Sequence, residues 1–175
     1  MNEARKHGLV LSIYPNTLGF AFALFEGFAS AVDWGVVEVR GKLKNRQCLR
    51  RISALFGQYE PNALVLQDTS ENGTYRARRI RSLNEAIGAL AETQGIPTFT
   101  YSRERTRQVF APLGATTKQA IAEAISRCVP AFGNFVPPLR KIWKNEHSRM
   151  ALFDAAALAL TYFQSLRASE NGHSL

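Results

Sequence analysis

The sequence predicts an α/β fold with a mixed central sheet, in which three antiparallel strands are followed by two parallel strands, and with flanking helices. Apolar runs with short joins at 9–13, 19–25 and 31–39 are typical of an antiparallel meander. After residue 40 the hydrophobic residues recur at helical spacing instead. A continuous apolar run at 63–66 is typical of a buried parallel strand, and 96–101 is predicted as a second one.

Helices are predicted on both sides of the later strands. Leu49, Ile52 and Leu55 recur at helical spacing, and Pro61 ends that helix. The other predicted helices run from Tyr75 or Arg76 to Thr93, from Arg103 to Phe110, from an N-cap at Thr116 through Ile125, and from about Asn145 to Arg167. We expect residues 1–167 to form a single domain and residues 168–175 to form a flexible C-terminal tail.

Length and composition restrict the class of protein. The 175 residues, 46% of them hydrophobic, suffice for one packed domain. No apolar run reaches the roughly 18 residues that a membrane-spanning helix needs. The N-terminal residues 1–7 lead into an apolar strand and lack the layout of a signal peptide. We therefore expect a cytoplasmic protein without a membrane partner.

The charge of the chain points to a polyanionic partner. The sequence has 22 Lys and Arg against 14 Asp and Glu, which gives a net charge of +8. A compact domain this basic usually meets a polyanion such as nucleic acid. The basic residues cluster at 40–51, 76–81, 103–107 and 140–149. An alternative interpretation is that these clusters are separate solvated faces.

Polar residues follow two strands that we expect to be neighbours. Tyr14 ends the first strand, and Gln67 and Asp68 follow the strand at 63–66. Sites in open α/β sheets gather at the carboxyl ends of the strands. If these two strands pair, the three side chains lie close together.

Four stretches resemble the RuvC-type Holliday junction resolvases of the ribonuclease H-like superfamily. Residues 11–20 are similar to the first strand of that family, which normally carries an aspartate and then a Gly-aromatic pair. Residues 61–68 are similar to the strand that normally ends in a glutamate. Residues 96–118 resemble the segment that leads to a DNA-contacting lysine, and 154–161 resemble the last helix, which normally carries two aspartates three residues apart.

The resemblance implies a ribonuclease H-like fold and a particular chemistry. Members of this family hydrolyse a DNA phosphodiester with metal-activated water, using two divalent ions, Mg²⁺ or Mn²⁺, held by four carboxylates. Hard divalent ions prefer oxygen ligands, and the carboxylates must converge because the ions lie about 3.5–4 Å apart. Family members hold branched DNA as dimers, so the resemblance also implies a homodimer and a phosphate contact for Lys118.

Most of the acidic positions of the family are replaced in this chain. Tyr14 stands at the position of the first aspartate, and Gln67 at that of the glutamate. Ala151 stands three residues before Asp154, where the first of the paired aspartates belongs. Asp154 is the one match. Asp68 is one residue too far along its strand and would point to the opposite face unless a bulge intervenes.

The sequence offers no other acids that we expect to complete a metal site with Asp154. Glu146 and His147 precede Asp154 by eight and seven positions, which is about 10–12 Å along a continuous helix. We therefore expect that one ion cannot use them together with Asp154. Of the three aspartates in the chain, Asp33 falls in the third strand, near a turn.

These observations favour a protein that binds branched or duplex DNA and has lost most or all nuclease activity. Asp154 would then be a hydrogen-bonded remnant. The expected phosphate contacts are Arg76, Arg78, Arg79, Arg81, Arg103, Arg105, Arg107 and Lys118.

Two alternatives remain open at the level of the sequence. In the first, a remodelled endonuclease binds one Mg²⁺ or Mn²⁺ through Asp68 and Asp154. In the second, the chain is a protein-interaction module whose partner surface includes Phe132, Phe135 and Trp143. The apolar positions of the second helix are predicted to be buried either within the chain or across a dimer axis; they are Leu83, Ala86, Ile87 and Leu90.

Overall fold

Five strands form one mixed sheet. The computed structural model describes residues 8–141 and 143–172 of the chain. The strands are β1 (Val10–Pro15), β2 (Gly19–Gly27), β3 (Ser30–Glu38), β4 (Ala63–Gln67) and β5 (Thr98–Tyr101). The helices are α1 (Lys44–Tyr59), α2 (Arg78–Thr93), α3 (Arg103–Phe110), α4 (Lys118–Cys128) and α5 (Met150–Gly172). The strand order is β3-β2-β1-β4-β5, with β1, β2 and β3 antiparallel and β4 and β5 parallel to β1. The predicted mixed sheet is confirmed.

The parallel pairing of β1 with β4 determines which side chains meet. Ser12 is aligned with Val65, so Tyr14 and Gln67 lie side by side where the two strands end. Side chains alternate between the faces of a sheet. Tyr14 and Gln67 therefore share a face with Ser12 and Val65, and that face carries α5.

α5 packs closely against the sheet because its contact face is built from alanines. Ala155, Ala156 and Ala159 are fully buried, and the small side chains allow the helix backbone to approach the strands. The Oγ of Ser12, itself fully buried, donates to the main-chain oxygen of Ala155 at 2.6 Å and lies 3.2 Å from that of Ala23. This polar contact between β1 and α5 sets the height of Asp154 above the strand ends.

The opposite face of the sheet carries α1 and α2. Ile52 and Phe56 of α1 and Leu83 and Ile87 of α2 pack against the side chains of β1, β2 and β4. Leu83 and Ile87 are fully buried within the chain. Leu83 and Ile87 thus belong to the intramolecular core, whereas Ala86 and Leu90 are half-buried and their role stays a prediction.

Several predicted helix ends are displaced in the structure. α2 begins at Arg78 rather than at Tyr75 or Arg76, because the preceding residues are held across the strand ends. The N-cap of α4 is Thr117, whose side chain accepts from the backbone N–H of Ala120, and not Thr116. The last helix begins at Met150 rather than near Asn145.

The C-terminal end of α5 also differs from the prediction. The helix continues past Arg167 and ends at Gly172, so residues 168–172 of the predicted tail are helical. Residues 173–175 lie outside the described residues. Within the described ranges no helix has the length and apolar character needed to cross a membrane.

Replacing Phe132 with alanine is expected to destabilise the fold strongly. Its fully buried ring lies 5.0 Å from that of Trp34, 6.0 Å from that of Phe153 and 6.1 Å from that of Phe25, measured between centroids. Truncation leaves a cavity where the sheet meets α5, so the free energy of unfolding should fall by about 3–5 kcal/mol. Urea denaturation measures this change. Leu139→Ala, at a position that is 79% exposed, should change it by less than about 0.5 kcal/mol.

Candidate functional site

A small cavity lies where β1 and β4 end and α5 crosses above them. Its volume is about 40 Å³. Tyr14 and Gln67 line it from the sheet, and Asp154 lines it from α5. Arg103, Thr106 and Arg107 of α3, together with Lys118 at the start of α4, line the remaining side. Tyr14, Gln67, Lys118 and Asp154, all singled out in the sequence, thus meet at one place, and among the described residues Asp154 is the single acid in the lining.

Lys118 binds two carboxylates at once. Its Nζ donates to Oδ2 of Asp154 at 3.1 Å and to Oε1 of Glu146 at 2.9 Å. The separation of about 10–12 Å that was expected between Glu146 and Asp154 is therefore wrong. It assumed a continuous helix, whereas the helix starts at Met150 and the segment before it folds back toward Lys118.

Burial sets the protonation of this pair. Burial raises the pKa of Asp154 above its usual value, and the positive charge of Lys118 opposes the rise. For Lys118, burial acts to lower the pKa, but the attraction of Asp154 and Glu146 outweighs it, so that the pKa is raised. Lys118 consequently remains an ammonium ion throughout the neutral pH range and balances the charge of Asp154.

Tyr14 contributes an aromatic ring between two cations. The Arg76 guanidinium lies 4.8 Å from the centroid of the ring, and the Lys118 ammonium lies 5.8 Å from it. Both distances are within the range of cation–π attraction. Burial, and secondarily the charge of Asp154, raises the pKa of the Tyr14 phenol, which therefore stays neutral at physiological pH.

Arg76 joins the ends of β1 and β4. One nitrogen of its guanidinium donates to Oε1 of Gln67 at 2.7 Å, and the other donates to the main-chain oxygen of Pro15 at 2.9 Å. The neighbouring Arg79 donates to the main-chain oxygen of Asn16 at 2.7 Å. Asn84 of α2 holds the end of β4, because its Nδ2 donates to the main-chain oxygen of Gln67 at 2.7 Å. These arginines are structural donors at the strand ends.

Asp68 is folded into its own loop. Its Oδ1 accepts from the backbone N–H of Ser70 at 3.0 Å, and its main-chain oxygen accepts from the N–H of Thr74 at 2.7 Å. A Cβ added to Gly73 would lie 2.6 Å from the Asp68 carboxylate, so only glycine allows this close approach. Asp68 does not line the cavity that contains Asp154.

The donor set does not fit the pair of divalent ions that the resemblance implies. Oδ2 of Asp154 is paired with Lys118, and Oε1 of Gln67 is already bound to Arg76. Ala151 offers no oxygen from its side chain. Over residues 8–141 and 143–172, no group of three or more His, Cys, Asp or Glu side chains is arranged to hold a metal ion. Lys118 and Arg76 lie where a pair of divalent ions would need further carboxylates.

The predicted phosphate contacts separate into two groups. Arg76, Arg79 and Lys118 are partly buried and bound to protein oxygens. Arg78, Arg81, Arg103, Arg105 and Arg107 are exposed. Of the exposed group, Arg103 and Arg107 line the cavity, because they lie four residues apart on one face of α3. The backbone N–H of Arg103 donates to Oγ1 of Thr74 at 2.8 Å, which ties α3 to the loop after β4.

The aromatic residues proposed for a partner surface also separate. Phe132 is fully buried and lies in the core, which corrects its prediction as a surface residue. Phe135 is half-buried, and its ring centroid lies 6.0 Å from that of Trp34. Trp143 remains 78% exposed. Hydrophobic periodicity could not separate buried from exposed residues here, because the described residues of 130–141 and 143–149 form no regular helix or strand beyond a short 3₁₀ helix at Pro130–Phe135.

Removing the charge of Lys118 is expected to destabilise the protein in a pH-dependent way. In Lys118→Met the opposing charge beside Asp154 is lost, so the pKa of Asp154 should rise further. An acid with a raised folded-state pKa binds more protons when folded, so stability falls as the pH rises through that interval. The loss relative to the natural chain should be about 1–3 kcal/mol at neutral pH and should shrink on acidification.

Urea denaturation at several pH values tests this prediction. Adding Asp154→Asn to Lys118→Met should recover most of the lost stability, because no buried carboxylate is then left without a cation. Arg105→Met removes an exposed charge from α3 and serves as the control. A loss in Lys118→Met that stays constant from neutral to acidic pH would contradict the assigned role of the pair.

Comparison with solved structures agrees with the fold described above. RuvC from Thermus thermophilus in complex with a Holliday junction substrate is similar, with 20% identity, a TM-score of 0.60 and coverage of 92% of this chain and 96% of that one. A second structure of Thermus thermophilus RuvC has 18% identity, a TM-score of 0.63 and coverage of 91% and 96%. The yeast mitochondrial Holliday junction resolvase Ydc2 has 15% identity, a TM-score of 0.57 and coverage of 93% and 83%.

The comparisons by sequence add no closer relationship. No protein-family model matches the chain, and no curated protein matches it. The structural likeness extends over about nine-tenths of the chain. The chain therefore has the ribonuclease H-like fold of the RuvC-type Holliday junction resolvases.

Proposed function

We propose that this chain binds branched DNA through its resolvase-like fold and lacks metal-dependent nuclease activity. The observation that carries the proposal is the position of the Lys118 ammonium, which is bound to Asp154 at 3.1 Å and to Glu146 at 2.9 Å. Asp154, the one acid that matches the family, is thus already paired with a cation of the protein. A divalent ion there would have to displace Lys118 and would meet the Arg76 guanidinium as well.

The charge distribution supports binding without catalysis. Lys118, Arg103 and Arg107 surround one cavity, and the chain has a net charge of +8. Fixed cations at this place can attract a phosphate directly, so that binding does not require a metal ion to bridge protein and DNA. Arginine suits this role because its guanidinium stays charged and binds phosphate oxygens in pairs.

The fold likeness supports branched DNA as the ligand. One structure with the same fold is described as RuvC in complex with a Holliday junction substrate, and another is a Holliday junction resolvase. We carry this ligand class to the present chain as part of the proposal. The homodimer that the resemblance implies is likewise proposed, and sedimentation of the protein with and without DNA would test it.

Binding and cleavage of one labelled four-way junction test the main proposal. In calcium, magnesium and manganese alike we expect a shifted complex, competed weakly by linear duplex, and intact strands on a denaturing gel. Symmetric cuts that require magnesium or manganese and disappear in Asp154→Asn would instead establish the remodelled endonuclease. The Asp68→Asn variant then shows whether that acid takes part.

The dependence of binding on salt tests the assigned phosphate contacts. Each duplex phosphate neutralised contributes about 0.9 to the slope of log K against log salt concentration. The double variant Arg103→Gln, Arg107→Gln should therefore reduce the slope by about 1–2 and weaken binding to all duplex sequences alike.

A matched double variant controls for total charge. Arg50 and Arg51 are exposed on α1, on the opposite side of the sheet. Arg50→Gln, Arg51→Gln should leave the slope nearly unchanged. Equal slopes for both double variants would show that the charge acts diffusely and not through the cavity beside α3.

A further inference from the structure

The segment at 136–149, between α4 and α5, exposes large apolar side chains among basic ones. Trp143 is 78% exposed and Leu139 is 79% exposed. The neighbouring Lys141 places its Nζ 5.7 Å from the centroid of the Trp143 ring. Arg140 and Lys144 are exposed as well. Exposed apolar side chains among basic ones suit a ligand that combines negative charge with apolar faces.

Trp143 is exposed, whereas the aromatic residues that precede it are buried or half-buried. Phe132 packs against Trp34, Phe25 and Phe153 in the core. Phe135 follows on the rim of the same cluster, against Trp34. The chain therefore has an apolar cluster nearby, yet Trp143 stands outside it, next to lysines.

A groove runs from this segment to the cavity described above. Its volume is about 610 Å³, and its walls include Pro138, Arg140, Lys141 and Lys144. Lys118 and Met150 line both the groove and the cavity that contains Asp154. A chain bound at the cavity can thus continue along the groove to Lys141 and Lys144, which flank Trp143 in the sequence; the Trp143 ring itself lies outside the groove wall.

The groove has the charge that a phosphate backbone requires. Between Glu123 and Asp154 the sequence contains one acid, Glu146, and that acid is paired with Lys118. Four basic residues line the groove, Lys118, Arg140, Lys141 and Lys144. An apolar protein partner would have no use for this excess of positive charge, whereas a polyanion with exposed ring faces matches both features.

We propose that Trp143 is a stacking platform for an unpaired base, with the adjoining backbone following Arg140, Lys141 and Lys144 along the groove. The proposal rests on the proposed function and adds a ligand class to it, namely DNA with unpaired or opened bases. A fully paired duplex hides its base faces and offers Trp143 nothing to stack on. Aromatic stacking accepts any base, so the preference should be for unpaired structure rather than for sequence.

Binding of three DNA probes to variants at Trp143 tests the proposal. The probes are a single-stranded oligo(dT), a four-way junction with an unpaired bulge and a fully paired linear duplex. Trp143→Ala should weaken oligo(dT) binding by about 5- to 100-fold, the range of one stacked base. Duplex binding should weaken by less than about 2-fold, because phosphate contacts carry it. Trp143→Phe should restore most of the single-strand affinity, since a ring is retained.

Intrinsic fluorescence gives a second measurement on the unaltered chain. The chain has two tryptophans, and Trp34 is packed 5.0 Å from the ring of Phe132. Oligo(dT) should quench the emission of the natural protein, and the quenching should vanish in Trp143→Phe. Leu113→Ala, at an exposed apolar position outside the groove, controls for a general loss of apolar surface.

The outcomes separate this proposal from the proposed function. Equal losses on oligo(dT) and on duplex, or no loss on either, would overturn the stacking role while leaving DNA binding intact. A natural protein that binds none of the three probes at low salt would overturn both proposals and would favour a protein partner for this segment. Quenching that persists in Trp143→Phe would also contradict the stacking role.

Discussion

The ion pair between Lys118 and Asp154 is the interaction on which the site depends. Asp154 stands on a helix that is buried over most of its first half, against a sheet that offers it little solvent. A carboxylate in such a place needs a cation or must be protonated. Lys118 supplies that cation from the first residue of α4, so the pair ties α4 to α5. Through Glu146 it also holds the end of the segment that precedes α5.

A side-chain cation neutralises the one acid of this site that matches an acidic position of the family the chain resembles. Arg76 completes the arrangement by binding Gln67 and facing the Tyr14 ring from 4.8 Å. Both cations are side chains of the protein, and their positions are fixed by the first turn of α4 and by the hydrogen bonds of Arg76 at the strand ends. The charge of Lys118 at the strand ends is therefore matched by Asp154 and Glu146, and exposed positive charge beside the cavity comes from Arg103 and Arg107.

The basic residues of the chain perform two different tasks. Arg76 and Arg79 satisfy main-chain oxygens where β1 ends, and they stabilise the fold more than they offer charge to a ligand. Arg103 and Arg107 remain exposed beside the cavity and are available to phosphates. The groove toward Trp143 extends this available charge. A net charge alone cannot distinguish the two tasks, because the difference lies in which oxygens each guanidinium meets.

The amino-acid sequence by itself predicted the mixed sheet, because periods of two and 3.6 residues are local properties, and it showed that Tyr14, Gln67 and Ala151 stand at acidic positions of the family the chain resembles. The position of Tyr14 beside Gln67 depends on the pairing of β1 with β4, which belongs to the tertiary structure. Only the tertiary structure decided the partners of the charged side chains. Arg76 binds Pro15 across 61 positions, and Lys118 binds Glu146 across 28. Such contacts depend on where loops return, and irregular loops carry no period from which their path can be read.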